Sequence, residues 1–173
     1  MFPISHFNIT RTPFYYYDKT LLSNTLAKLI RLAGERNYHV HYAVKANANP
    51  EILKLIAASG IGADCVSGGE IKAALEAGFP AKKIVFAGVG KADWEIEYAL
   101  EKKIFCFNVE SAEELSVIEE LAKKKENIAS IALRINPNID AHTHEYITTG
   151  LSENKFGIPI EMLDSIFSQI QRS

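Results

Sequence analysis

Residues 40–50 read Val40-His41-Tyr42-Ala43-Val44-Lys45-Ala46-Asn47-Ala48-Asn49-Pro50. An apolar run ends at a lysine, small and polar residues follow, and a proline opens a helical pattern, as proline does at a first helical turn. Strand, turn and helix are thus legible in one short stretch, and the unit recurs. Strands are predicted over residues 40–44, 61–66, 84–87, 104–109 and 128–135, and helices over 50–59, 70–77, 92–101, 112–124 and 159–170. Ser111 is placed to cap the 112–124 helix. The period is about 20–25 residues, with strands that are short and apolar, the pattern of a parallel sheet covered on its faces. Right-handed crossovers then leave two architectures, an open doubly wound sheet or a (β/α)8 barrel.

Ahead of the first unit, the aromatic stretch 12–18 predicts a short strand. Asp18 or Thr20 can cap a helix running to about Gly34. A barrel requires eight strands and about 250 residues. The 173 residues hold five clear βα units, six if another strand lies within 146–158, and the chain stops on a helix. The expectation is the first part of a barrel.

The composition, 47% hydrophobic with a formal charge of −2, is that of an ordinary soluble domain and suggests neither nucleic acid nor a membrane surface as partner. The N-terminus shows no basic region followed by an apolar core, so no signal peptide is expected. Cys65 and Cys106 form neither a disulfide framework nor a metal pattern and read as reduced thiols near buried strands. A cytoplasmic location is the expectation.

In parallel α/β folds chemistry collects at the carboxyl ends of the strands. Reading those ends gives Lys45 and Asn47, Asp64 and Ser67, Gly88 and Gly90, Asn108 and Glu110, then Arg134, Asn136 and Asp140. Lys45 reads either as a desolvated, nucleophilic amine suited to Schiff-base chemistry or as a lysine whose stem lies along the strand end with its charge in water. His41 is a base or a hydrogen-bonded core residue. Ser67-Gly68-Gly69 is an anion-binding helix start or a tight turn. Asp64 and Glu70 can pair with a cation such as Lys45, or Glu70 can be a solvated helix-start charge. Arg134 can hold Asp64, Glu70 or a substrate carboxylate, or form a surface ion pair. The long polar segment from Asp140 to Gly150 has the profile of an active-site loop. Its two histidines lack clear further ligands, so no metal site is assigned.

Tyr42-Ala43-Val44-Lys45-Ala46-Asn47 resembles the cofactor-lysine motif of fold-type III pyridoxal phosphate enzymes, the alanine racemase-like barrels and basic amino acid decarboxylases. Gly62 through Glu70 resembles the second-strand motif of the decarboxylases. Arg134-Ile135-Asn136-Pro137, Asp140-Ala141-His142-Thr143-His144, Thr148-Thr149-Gly150 and Asn154-Lys155-Phe156-Gly157-Ile158 resemble the diaminopimelate decarboxylase branch. The resemblance runs over about residues 12–170, with its motifs in order. It implies an α/β fold, a partial (β/α)8 TIM barrel of the alanine racemase-like type over 19–173, with residues 1–18 joining a C-terminal β-domain that these residues do not include.

The same resemblance implies pyridoxal 5'-phosphate anchored on Lys45, with Asp64, Glu70 and Arg134 shaping the charge around it. His142, Thr143, His144, Thr148, Thr149 and Gly150 would close over an amino-acid substrate. The implied reaction is decarboxylation of meso-2,6-diaminopimelate to L-lysine by a homodimer. The family's cofactor-stacking histidine, glycine-rich phosphate cradle and acidic partner of the pyridine nitrogen have no counterparts in this stretch, so residues 1–173 alone are expected to be inactive. The alternatives are a decarboxylase for ornithine, arginine or carboxynorspermidine, against which the His-Thr-His and Thr-Thr-Gly motifs argue, and a non-catalytic cofactor-binding barrel.

Overall fold

The computed structural model describes residues 4–137 and 156–172. A single turn of helix, α1 (Ile4–Phe7), opens the described chain. The strand predicted over 12–18 does not form. Its four aromatics are consecutive rather than alternating, and without a partner strand β-propensity alone makes no ladder. The rings contact one another instead, with Phe7 5.4 Å from Phe14 and 5.1 Å from Tyr16. Helix α2 (Lys19–Gly34) starts where Asp18 accepts the Leu21 N–H at 2.9 Å.

The repeating units follow as β1 (His41–Ala43), α3 (Pro50–Ala58), β2 (Gly62–Cys65), α4 (Gly68–Glu76), β3 (Ile84–Phe86), α5 (Asp93–Lys102), β4 (Cys106–Val109), α6 (Ala112–Lys124) and β5 (Ile131–Leu133). Ser111 caps α6 by accepting the Glu114 N–H. The strand predicted over 128–135 breaks at Arg134, after which β6 (Ile135–Asn136) pairs with β7 (Ile158–Pro159), and α7 (Leu163–Ile170) closes the described chain. The break has a geometric cause. The Arg134 N–H still bonds back to Val109 at the end of β4, at 2.8 Å, while its carbonyl already accepts from Ile158 at 2.7 Å. Arg134 is the point at which the chain exchanges one neighbour for the next.

All pairings are parallel, and the strands lie in chain order, β1-β2-β3-β4-β5 and then β6-β7. Doubly wound sheets reverse their order at a switch point, whereas a barrel wall does not. Helices α3 to α6 also lie beside one another in sequence, as a single outer layer. The architecture is therefore the partial (β/α)8 barrel, with β7 as its sixth strand.

Register separates two unlike faces. Cys65, Phe86, Phe107 and Ile131 are successive cross-strand neighbours on the helix-covered face, and the core lies there between sheet and helices. Cys65 is fully buried in that layer, and burial pushes its thiol up to about 12. The other face carries His41 beside Gly62, Ala43 beside Asp64, and Asn108 beside Ala132. The expectation of strands apolar on both faces thus holds on the outer face only. The inner face is small and polar.

Gly62 is dictated by its neighbours, since a Cβ there would lie 2.3 Å from the His41 ring and 2.5 Å from the Lys83 carbonyl oxygen. The ring can rotate away but the backbone oxygen cannot. Gly62→Ala is expected to cost about 1–3 kcal/mol and to lower the midpoint of a thermal melt by about 2–12 °C for a domain of this size. A midpoint within a degree of the parent would show that the strands separate freely at this position.

Candidate functional site

The β1 strand ends at Ala43, and Val44–Ala46 form a 3₁₀ turn. Lys45 therefore does not continue the in-out alternation of the strand. Fully buried Val44 fixes the turn from the helix side. Asn47 fixes it from the other: its carbonyl accepts from the Tyr42 hydroxyl at 3.1 Å, its Oδ1 accepts the Asn49 N–H at 2.9 Å, and its Nδ2 donates to the Tyr17 hydroxyl at 3.1 Å. Asn49 then caps α3 through the N–H groups of Glu51 and Ile52.

Lys45 opens onto a cleft of about 600 Å³ at the carboxyl ends of the strands, lined also by Asp64, Gly88, Asn108, Glu110, Arg134 and Phe156. Three of the four residues expected to hold a cofactor, Lys45, Asp64 and Arg134, thus share one cavity. Glu70 does not line it. Its carboxylate accepts the Val66 N–H at 2.8 Å at the start of α4, because a helix start leaves N–H groups that a nearby acid satisfies. His142, Thr143, His144, Thr148, Thr149 and Gly150 lie outside the described residues.

The Ser67-Gly68-Gly69 turn is not an open anion site. The Gly68 N–H donates to Glu95 at 2.6 Å, and the Ser67 hydroxyl accepts from the Glu70 N–H at 3.2 Å. Gly68 lacks a side chain because Trp94 and Glu95 pack against it, with a Cβ meeting the Trp94 ring at 2.9 Å. The tight-turn reading holds.

Arg134 pairs neither with Asp64 nor with Glu70. Its Nη1 donates to both oxygens of Glu110, at 3.1 and 3.0 Å, and the guanidinium lies 5.3 Å from the centre of the Phe156 ring. The Glu110 side chain is only 3% exposed while that of Arg134 is 49% exposed, so the pair presents one face of the guanidinium to the cleft. From the sequence Glu110 reads only as a strand-end polar residue. Its adjacency to the Ser111 cap was the available signal, because a residue before a helix cap at a strand end faces the same edge as the site.

Asp64 has an oxygen, Oδ1, that is buried and has no hydrogen-bond partner among the described residues. Burial pushes the Asp64 carboxyl above its usual range, against the opposing pull of Lys45, His41 and Arg134. Burial likewise lowers the pKa of His41, further down the same face, where the imidazole stacks on Phe105 with centroids 6.3 Å apart. A primary amine, a carboxyl seeking a donor and a half-exposed guanidinium thus converge on one cavity. That set can bond an aldehyde carbon, accept a hydrogen bond and stabilise negative charge.

Residues 23–173 match the family described as pyridoxal-dependent decarboxylase, pyridoxal binding domain. The diaminopimelate decarboxylase of Bacteroides thetaiotaomicron is 61% identical over 167 residues, 96% of this chain and 43% of that protein. Among solved structures, diaminopimelate decarboxylase from Helicobacter pylori complexed with L-lysine is 44% identical, with a TM-score of 0.85, covering 98% of this chain and 43% of that one. The M. jannaschii diaminopimelate decarboxylase in co-complex with L-lysine is 38% identical, with a TM-score of 0.85 over 96% of this chain and 40% of that one. The chain spans well under half the length of these relatives.

The raised Asp64 carboxyl has a consequence for stability. A carboxyl whose folded pKa lies above its usual value near 3.8 contributes stability that is complete below that value and is lost as pH rises through the raised one. Asp64→Asn, which keeps the shape and removes the charge, is expected to melt above the parent at pH 7, with the gap narrowing as pH falls toward about 4. Melting curves across that range check it. A gap that does not change with pH would mean that the buried charge costs nothing.

Proposed function

The chain belongs to the pyridoxal-dependent decarboxylases through their pyridoxal binding domain, and from that premise we propose that it is the cofactor-anchoring part of a diaminopimelate decarboxylase. The reaction removes one carboxylate of meso-2,6-diaminopimelate as carbon dioxide and leaves L-lysine. The observation that carries this reading is the convergence of Lys45 with the unpartnered, buried oxygen of Asp64 in one cleft.

The residues fit pyridoxal phosphate. Lys45 offers a primary amine, which condenses reversibly with an aldehyde, and Asp64 offers an acceptor held ready for a donor. When bound, the cofactor supplies the electron sink that decarboxylation requires. The protein's part is placement. Lys45 would hold the cofactor through its amine, and that amine would be placed to move a proton at the substrate carbon that loses its carboxylate. The Asn47 hydrogen bonds keep the lysine turn from drifting. The half-exposed guanidinium of Arg134 adds positive potential to the cavity wall, and its pairing with Glu110 holds it away from Asp64. His142, Thr143, His144, Thr148, Thr149 and Gly150 are assigned to the substrate's polar distal end. Residues 1–18 are assigned to contact with a β-domain, and the working protein is assigned as a cytoplasmic homodimer.

Pyridoxal phosphate added to the protein and fixed with borohydride is expected to label Lys45, located by peptide mass spectrometry. Lys45→Ala should abolish the label. A label on another lysine, or one that survives the substitution, overturns the assignment. At the family's full length the protein should form lysine from meso-diaminopimelate, and preferential turnover of ornithine or arginine would redirect the substrate reading.

A further inference from the structure

Lys91 follows the β3 turn, and its side chain is 1% exposed. An ammonium has three N–H donors, and here each has an acceptor. One goes to the Gly88 carbonyl at 2.7 Å, one to the Asn108 carbonyl at 2.8 Å, and one to Glu114. The second oxygen of Glu114 accepts the Glu110 N–H at 2.8 Å. The carboxylate of Glu110 in turn accepts the Gly88 N–H at 3.2 Å and the Arg134 guanidinium. Gly88 is therefore held at both of its backbone polar groups, its N–H by Glu110 and its carbonyl by Lys91. Its φ of +103° needs such restraint, because a glycine left free would sample many conformations.

Gly88, Glu110 and Arg134 line the Lys45 cleft, whereas Lys91 and Glu114 lie beneath its wall. A buried ion pair kept for stability alone is often replaceable by apolar side chains at no loss. This one is different, because two of the three ammonium bonds go to carbonyls at the ends of β3 and β4, which no apolar residue would satisfy. We propose that Lys91 and Glu114 are positioning residues, a buried pair that sets the Gly88 peptide and, through Glu110, the Arg134 guanidinium on the wall of the cleft. The consequence for cofactor binding rests on the function proposed above, while the geometric coupling stands apart from it.

The test is made in the protein at its natural length, with two readouts taken well below the melting temperature. One is the rate at which phenylglyoxal modifies Arg134, followed by peptide mass spectrometry. The other is the dissociation constant for pyridoxal phosphate. Glu110→Gln and Lys91→Met are each expected to speed Arg134 modification and weaken cofactor binding by about tenfold, the low end of the scale for one lost hydrogen bond to a charged group. Because Lys91 acts through Glu110, the double variant should react no faster at Arg134 than Glu110→Gln alone. If Lys91→Met does not fold, Glu114→Gln takes its place in the same cycle. A folded variant that melts lower but leaves the Arg134 rate unchanged, or increments that add in the double variant, would overturn the proposal. If the unsubstituted protein binds no pyridoxal phosphate, the functional reading fails while the Arg134 rates still judge the coupling.

Discussion

Backbone N–H groups at the start of a helix have no partner within that helix, and in a parallel α/β sheet these starts gather along one edge. Here glutamates satisfy N–H groups at these starts and in the loops leading to them, and two reach across from a neighbouring unit. Glu95 of α5 takes the Gly68 N–H of α4 and Glu110 after β4 takes the Gly88 N–H in the loop after β3, while Glu114 of α6 takes the Glu110 N–H within its own unit. Consecutive βα units are thereby tied at the edge where the site lies. Burying carboxylates is costly without hydrogen bonds, and these have them. The edge is consequently more cross-linked than loops usually are, and the cleft is built on that frame rather than on free-standing loops.

The division of labour between the two sheet faces follows. Apolar packing is concentrated on the outer face, where the strands meet helices α3 to α6. The inner face carries His41, Asp64 and Asn108 and few large side chains. Asp64 can therefore hold an unsatisfied oxygen without disturbing the core, because its cost is borne in a region that contributes little to cohesion. Separation of this kind lets a site be strained or charged while the fold persists.

How much of this was legible in the sequence depends on the range of the interaction. Helix starts at Asp18 and Ser111 are written within three residues of the groups they cap, and the strand-helix rhythm is equally local. Lys45 was found by its place after an apolar run and by the motif around it. What escaped was non-local. Arg134 and Glu110 are 24 residues apart, and Lys91 and Glu114 are 23 apart, with no periodicity to link them. Charge and the motif around it draw Glu70 toward Lys45, yet a backbone N–H four residues before it is the nearer claimant. The 12–18 strand failed for the complementary reason, since aromatic content speaks to propensity and a ladder needs a partner.

Arg134 joins two roles in one residue. Its main chain ends the ladder with β4 and begins the one with β7, and its side chain places a positive charge on the cleft wall beside that of Lys45. A strand slipped by one residue would turn that side chain to the opposite face. Strand alignment and the placement of charge are thus a single variable, and a misaligned barrel would forfeit its site together with its pairing.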